Sequence, residues 1–135
     1  MASETTNYKL KKPSEDDFYD VQDFNGNMEL IDGALKGNAD RVARVEGIRR
    51  IALSASGWSP SAPFTQVVSV PGVTAADAPV IGMSIAEGTT AVDVKLQNKA
   101  WACVDRAVTG AGTITFYCYN KKPTVDFAAN VKGVG

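Results

Sequence analysis

The residues that could do chemistry in this chain are two cysteines, a short run of acids and a few scattered aspartates. Histidine is absent from the 135 residues, which excludes Ser-His-Asp and Cys-His catalysis as well as histidine metal sites. Two cysteines cannot complete a structural zinc site without other ligands. The acidic run at residues 15–17 lies in a polar arm, where a pair of carboxylates has no rigid support. No phosphate-binding loop is present, and the glycines of residues 110–112 are typical of a turn.

Four scattered aspartates of the C-terminal part are the other candidates for carboxylate chemistry, namely Asp77, Asp93, Asp105 and Asp126. A glycosidase would need two of them at a fixed separation across a sugar. Nothing in their spacing favours such a pair, and each is typical of a turn or of a solvated strand face. The sequence therefore predicts that the protein is not an enzyme and that it uses no cofactor and no metal ion.

The cysteines, Cys103 and Cys118, are predicted to be free thiols. Residues 1–12 contain no apolar signal segment, and no apolar run approaches the ~18 residues that a membrane helix needs. We therefore expect synthesis in a reducing cytoplasm and no membrane insertion. Both thiols are expected to be inert core groups, with Cys103 sharing a strand face with Trp101 and Asp105.

Charge is spread unevenly along a chain whose net charge is −1. Residues 1–36 carry four lysines and eight acids, residues 37–50 four arginines and two acids, and residues 51–135 six bases and five acids. No segment is basic enough to follow a phosphate backbone, so nucleic acid is not expected as a partner. The arginine cluster is interpreted as the solvated side of a helix; its members are Arg41, Arg44, Arg49 and Arg50.

Apolar residues between positions 20 and 46 fall at alternating steps of three and four, which is the a/d seam of a helix that packs against copies of itself. The seam residues, proposed as a trimer interface, are Val21, Phe24, Met28, Ile31, Leu35, Val42 and Val45. With Val21 at an a position, polar Asn38 takes a d position, and Gly26, Gly33 and Gly47 take f positions, farthest from the seam. Each glycine inside a helix costs about 1 kcal/mol relative to alanine, so this helix must be held by packing.

Whether this neck, residues 20–50, is one helix or two is left open by the sequence. Gly37-Asn38 has the pattern of a helix end followed by a restart, with Asp40 as a second N-cap and Gly47 as a second stop. That pattern favours two helices. The alternative is one continuous coiled coil in which Asn38 fixes the register.

Residues 51–135 are predicted to form a small antiparallel β-sandwich or barrel, so the fold class is mainly β with an N-terminal arm and a coiled-coil helix. Period-two alternation and turn signals support this prediction. The predicted strands are residues 64–70, 80–86, 92–96, 101–107, 113–119 and 124–132, with 51–55 as a further candidate. Residues 1–19 form the arm, and Asp20 or Asp23 is expected to cap the helix that follows.

Three aromatic residues of the predicted head are candidates for receptor binding, because sugar sites use flat aromatic faces on a rigid frame. They are Trp58, in a loop rich in Ser, Gly and Pro, and Tyr117 and Tyr119, on one face of a strand. Trp58 has an alternative role as a plug that closes one end of the sandwich. The tyrosines have two alternatives: a second buried layer, or a contact between heads in a trimer.

Two stretches of the sequence resemble parts of phage and prophage tail-fibre or receptor-binding proteins. In residues 7–35 the pattern that those proteins share is matched by Lys12-Pro13, Asp17, Asp20, Asn25, Asn27, Ile31, Asp32 and Leu35. Residues 53–79, followed by 113–127, resemble the small β head at the tip of such fibres. The chain departs from the family in being very short for a fibre.

The resemblance implies a homotrimeric phage structural protein, made in the host cytoplasm and carried on the virion at the tail or the capsid surface. The arm would dock on other virion proteins through its large apolar groups, Tyr8, Leu10, Phe18 and Tyr19. The head would bind a host cell-surface glycan. The alternative is a head fibre, decoration or baseplate adaptor that binds other virion proteins without recognising a host.

Overall fold

The computed structural model describes residues 3–15 and 20–134, which form a small mixed α/β protein with two helices and three antiparallel sheets. The chain divides into two compact units, Met1–Ala43 and Arg44–Gly135. The β-rich part predicted from the period-two alternation is confirmed, and it lies in the second unit.

The first unit contains a two-stranded hairpin and most of a long helix. Strands β1 (Ser3–Glu4) and β2 (Lys11–Lys12) pair antiparallel, and helix α1 spans Val21–Glu46. The side chain of Asp20 accepts a hydrogen bond from the Gln22 N–H at 2.8 Å, which confirms Asp20 as the N-cap. The arm is therefore ordered through residues 3–12 and lies directly before a capped helix in the sequence.

Helix α1 is continuous across the predicted break, so the prediction of two helices is wrong. The Lys36 ammonium pairs with the Asp40 carboxylate one turn later, so Asp40 belongs to the helix interior and caps nothing. A side-chain methyl at Gly37 would meet no atom within 4 Å, so neighbouring groups do not force a bend there. The predicted stop at Gly47 is confirmed, because α1 ends at Glu46.

The second unit contains two three-stranded antiparallel sheets and one further helix. The sheet orders are β3-β8-β5 and β4-β7-β6. The strands are β3 (Ile48–Leu53), β4 (Phe64–Ser69), β5 (Val80–Ser84), β6 (Arg106–Gly110), β7 (Thr113–Cys118) and β8 (Phe127–Lys132). A single 3-10 turn spans Ala55–Gly57, and helix α2 spans Ala91–Trp101.

Both sheets contribute to one buried cluster. Alternate residues of β7 face inward, and Ile114, Phe116 and Cys118 are fully buried. From the other sheet, Leu53 and Val131 are also fully buried in this cluster. Burying each large apolar side chain contributes about 1.5–3 kcal/mol, so this shared core is what holds the two sheets together.

Residues 92–96, predicted as a strand, form the middle of helix α2, so that prediction is wrong. The Thr90 hydroxyl accepts a hydrogen bond from the Asp93 N–H at 3.2 Å and caps the helix. Val92, Leu96 and Ala100 then recur every four residues, and Ala100 is the buried member. An alternation of only five residues fits a strand and a helix turn equally well. Here the N-cap at Thr90 favours the helix.

The strand predicted at residues 101–107 is also wrong over most of its length. Trp101 is the last residue of α2, where its ring meets Phe127 edge-on with 6.1 Å between centroids. Cys103 lies in the turn that follows, so it shares no strand face with Trp101 and Asp105. Strand β6 begins only at Arg106, whereas the strands predicted at 64–70, 80–86 and 113–119 are confirmed.

Three members of the arginine cluster bond to groups of the second unit, which corrects their interpretation as a solvated helix side. Arg44 donates to a carboxylate oxygen of Asp77 at 2.6 Å, and Arg49 donates to the Pro71 carbonyl. Arg50, on the outer face of β3, donates from Nε to the Ser84 hydroxyl on β5 at 3.3 Å. Each of these guanidinium groups therefore links two segments of the second unit.

Candidate functional site

The exposed seam of α1 is the largest unexplained feature of the structure. None of the 26 residues of α1 is buried. The seven seam residues are 40% exposed at Ile31 and up to 64% exposed at Leu35. A single helix draws most of its stability from packing an apolar face, and within the described chain no residue of α1 is buried by such packing.

The two tyrosines lie together on the outward face of the sheet β4-β7-β6. The rings of Tyr117 and Tyr119 are nearly parallel, at 14°, with 6.3 Å between centroids. Tyr119 is 46% exposed and Tyr117 is half-buried. The prediction of a second buried layer is therefore wrong for this chain, and the rings form a surface that we call the tyrosine platform.

Arg106, the first residue of β6, and Asp105, which precedes it, shape the tyrosine platform. The guanidinium of Arg106 lies 5.3 Å from the centroid of the Tyr117 ring and donates to the Tyr119 hydroxyl at 3.3 Å. That hydrogen bond is the main reason why the pKa of Arg106 is raised. The Asp105 carboxylate accepts from the Tyr119 N–H at 2.8 Å. The platform thus presents two aromatic faces and one fixed cation.

Trp58 is buried in the core, with 7% of its surface exposed, so its indole forms no part of the surface. This placement agrees with the role of a plug. The loop is held on both sides: the Gln66 side chain bonds both backbone groups of Ser54, and the Thr65 N–H donates to the Ser59 hydroxyl. The indole N–H of Trp58 has no hydrogen-bond partner among the described residues.

The arm residues predicted to dock on a virion are placed in part. Tyr8 is 56% exposed and Leu10 is half-buried, whereas Phe18 and Tyr19 lie outside the described residues. Asn27 of α1 holds the arm, because its amide accepts from the Lys11 N–H at 2.7 Å and donates to the Lys11 carbonyl at 2.9 Å. Residues 3–12 thus form a hairpin that is hydrogen-bonded to the helix.

The two thiols differ in their surroundings. Cys118 is fully buried, and burial, followed by the proximity of Cys103 and Asp105, raises its pKa to about 11. Cys103 is half-buried and lines a surface cavity, so the prediction that it is a buried core group is wrong. Three lysines line the same cavity.

We expect Cys103 to react with a neutral thiol reagent in the native protein and Cys118 to remain unlabelled. Cys118 is inaccessible, and its raised pKa keeps it protonated at pH 8. Mass spectrometry of the partly alkylated protein checks this order, with Cys103→Ser as the control. Labelling of Cys118 at the same rate as Cys103 would contradict the burial.

Because folding raises the pKa of Cys118 from 9.0 to about 11, this thiol should lower the free energy of unfolding as the pH rises through that window.

Three of the four scattered aspartates accept hydrogen bonds from backbone N–H groups. Asp126 accepts from the Ala55 N–H at 2.7 Å, and Asp105 accepts from Tyr119 as described. The pKa of Asp77 is lowered chiefly by the hydrogen bond from the Thr74 N–H and also by Arg44. Among the described residues no three acidic or cysteine side chains lie close enough together to hold a metal ion. Residues 16 and 17 of the acidic run lie outside the described residues.

Neither helix in the described ranges combines the length and the apolar character needed to cross a bilayer. No protein-family model, curated protein or solved structure matches this chain.

The residues that sequence reasoning missed are Arg106, Asn27 and the lysines around Cys103. Arg106 meets the tyrosines only because β6 pairs with β7, with Arg106 opposite Tyr117. Asn27 stands at a g position beside the seam, where its amide is free to reach the arm. The short Gly-Ala-Gly turn between the two strand patterns could have indicated that β6 pairs with β7.

Proposed function

We propose that the chain is a homotrimeric structural protein of a phage, which attaches to the virion through its N-terminal arm and to the host cell surface through its β head. The observation that carries the proposal is the exposed seam of α1, because a 26-residue helix with no buried residue needs copies of itself to pack against. The phage assignment rests on the resemblance of residues 7–35 to virion-docking segments.

No d position of the seam carries leucine, and this disfavours a two-stranded coiled coil. A dimer is favoured by leucine at d with β-branched residues at a, whereas leucine at a with isoleucine at d shifts the preference to trimers or tetramers. Here Leu35 is at an a position, and Ile31 and Val45 are at d positions. Asn38, also at d, would lie at the axis and fix the register of the three copies.

The charges beside the seam favour a parallel arrangement. In a parallel coiled coil, a g residue of one helix faces the e residue five positions later in its neighbour. Arg41 at g would face Glu46 at e, and both side chains are exposed in the single chain. In a parallel arrangement the three N-terminal ends of α1, which follow the arms in the sequence, lie together, and so do the three C-terminal ends, which precede the heads.

The tyrosine platform is the surface of the head that best suits a sugar. Aromatic faces held on paired strands lose little entropy when a ligand binds, and a fixed guanidinium supplies hydrogen-bond donors beside them. Tyr117, Tyr119 and Arg106 meet these requirements. Trp58 does not, because it is buried.

The adhesion role is tested with fluorescently labelled full-length protein on intact host cells. We expect saturable binding, reduced by about tenfold or more in Tyr119→Ala, as is usual for an aromatic contact at the centre of an interface. Tyr8→Ala is the matched control, because Tyr8 is also an exposed tyrosine but lies on the arm. If the wild-type protein does not bind cells while it still joins particles, the protein is instead a structural component that binds only virion proteins.

Deletion of residues 1–19 is expected to abolish incorporation into particles and to leave the thermal unfolding of the head almost unchanged. The arm belongs to the first unit, and the hairpin's ion pair between Glu4 and Lys11 is exposed and contributes little. Particle composition by mass spectrometry and calorimetry of the purified protein measure the two effects. Incorporation at the wild-type level would show that the arm is not the docking element.

A further inference from the structure

A cavity of about 270 Å³ lies on the head between the C-terminal half of α2 and the segment that follows β7. Three of its lining residues are lysines, and the described lining residues include no acid. The residues that matter here are Leu96, Lys99, Cys103, Lys121, Lys122 and Thr124. This cavity is formed within the second unit and plays no part in the trimer or in the tyrosine platform.

Three exposed lysines along the lining of one cavity need an explanation, because like charges repel and lysines usually spread over a surface. Lys99 lies in the last turn of α2, where a cation is favoured by the helix dipole. That reason does not apply to Lys121 and Lys122, which follow a strand. The Nζ of Lys122 lies 5.7 Å from the centroid of the Phe64 ring, which does not line the cavity.

We propose that this cavity binds a compact anion, namely a phosphate or carboxylate group carried on a small polar molecule. Lysine ammonium groups bind such oxyanions as point charges, and the Thr124 hydroxyl can add a donor. The buried Ala100 and Pro123 form an apolar floor for the carbon part of the ligand. The volume lies below the ~300–1,000 Å³ of sites for drug-sized ligands, so a small ligand is favoured.

Cys103 gives a direct readout of occupancy, because its half-buried thiol lines the same cavity. Alkylation of Cys103 by neutral iodoacetamide is followed by mass spectrometry at constant ionic strength. The probes are glycerol 3-phosphate and glucuronate, with glycerol and glucose as neutral controls. One of the two anions is expected to slow alkylation saturably, in about the millimolar range expected for a screened surface site. The anion that does so identifies the preferred group.

The matched variants are the double change Lys121→Gln with Lys122→Gln, and Lys95→Gln. Lys95 is exposed on the same helix but does not line the cavity. Losing each charge-assisted contact should weaken anion binding about tenfold, whereas Lys95→Gln should bind as the wild type does. Protected Cys118 in each variant shows that the head is folded. Absence of saturable protection by either anion, or full protection in the double variant, would overturn the proposal.

Discussion

Ile31→Asp is expected to convert the proposed trimer into monomers. Ile31 is the least exposed of the seam residues, at 40%, and it stands at a d position near the middle of the seam. Each isoleucine buried on assembly contributes about 1.5–3 kcal/mol, and the variant loses this contribution in all three copies. Three carboxylates would then face one another around the axis, where their repulsion is weakly screened. Light scattering measures the resulting mass.

Gly33→Asp is the control for this variant. It adds the same charge to the same helix at an f position, where a side chain meets no atom within 4 Å. Gly33→Asp should remain trimeric, because aspartate is no poorer than glycine as a helix former. In both variants the head should unfold at the wild-type temperature, since residues 31 and 33 belong to the first unit. A trimeric Ile31→Asp protein would show that the seam is misassigned.

Trp58→Ala is expected to lower the free energy of unfolding of the head by about 3–5 kcal/mol, as is typical when a large buried aromatic residue is truncated. The cavity cannot readily collapse, because the loop around Trp58 is tied by Gln66 and Ser59. The space beside it is also tight: a methyl at Gly57 would lie 2.7 Å from the Ser54 hydroxyl. Urea unfolding measures the change.

Trp58→Phe separates packing from polarity at this position. Phenylalanine retains much of the volume and removes an indole N–H that has no partner among the described residues. We expect a smaller loss than for Trp58→Ala, because the phenyl ring leaves a smaller cavity. If Trp58→Ala left stability unchanged and abolished cell binding, Trp58 would be a receptor contact and the plug role would be wrong.

The strands could be predicted where alternation and burial coincide. In β7 the period-two pattern matches the fully buried Ile114, Phe116 and Cys118, and the prediction is right. The same pattern at residues 92–96 failed, because Thr90 caps a helix and the alternation there is only five residues long. Strand β3 begins at Ile48, three residues before the predicted start at position 51. The prediction started too late because Arg49 and Arg50 interrupt the apolar pattern, although their backbones pair with β8.

Contacts between distant residues could not be read from the sequence. The alternation within one strand predicts that Tyr117 and Tyr119 share a face. The position of Arg106, in contrast, depends on the register between two strands. The lysine-lined cavity likewise depends on packing α2 against the segment that follows β7. The seam of α1 could be predicted because its apolar residues repeat along a single helix.

The mass of the wild-type protein in solution is the most direct test of the trimeric neck. Sedimentation equilibrium over a range of protein concentrations gives this mass independently of shape. The exposed seam predicts a single species of three times the 14.3 kDa of the chain. A species of one chain mass at every concentration would contradict the trimer, and with it the proposed role of α1.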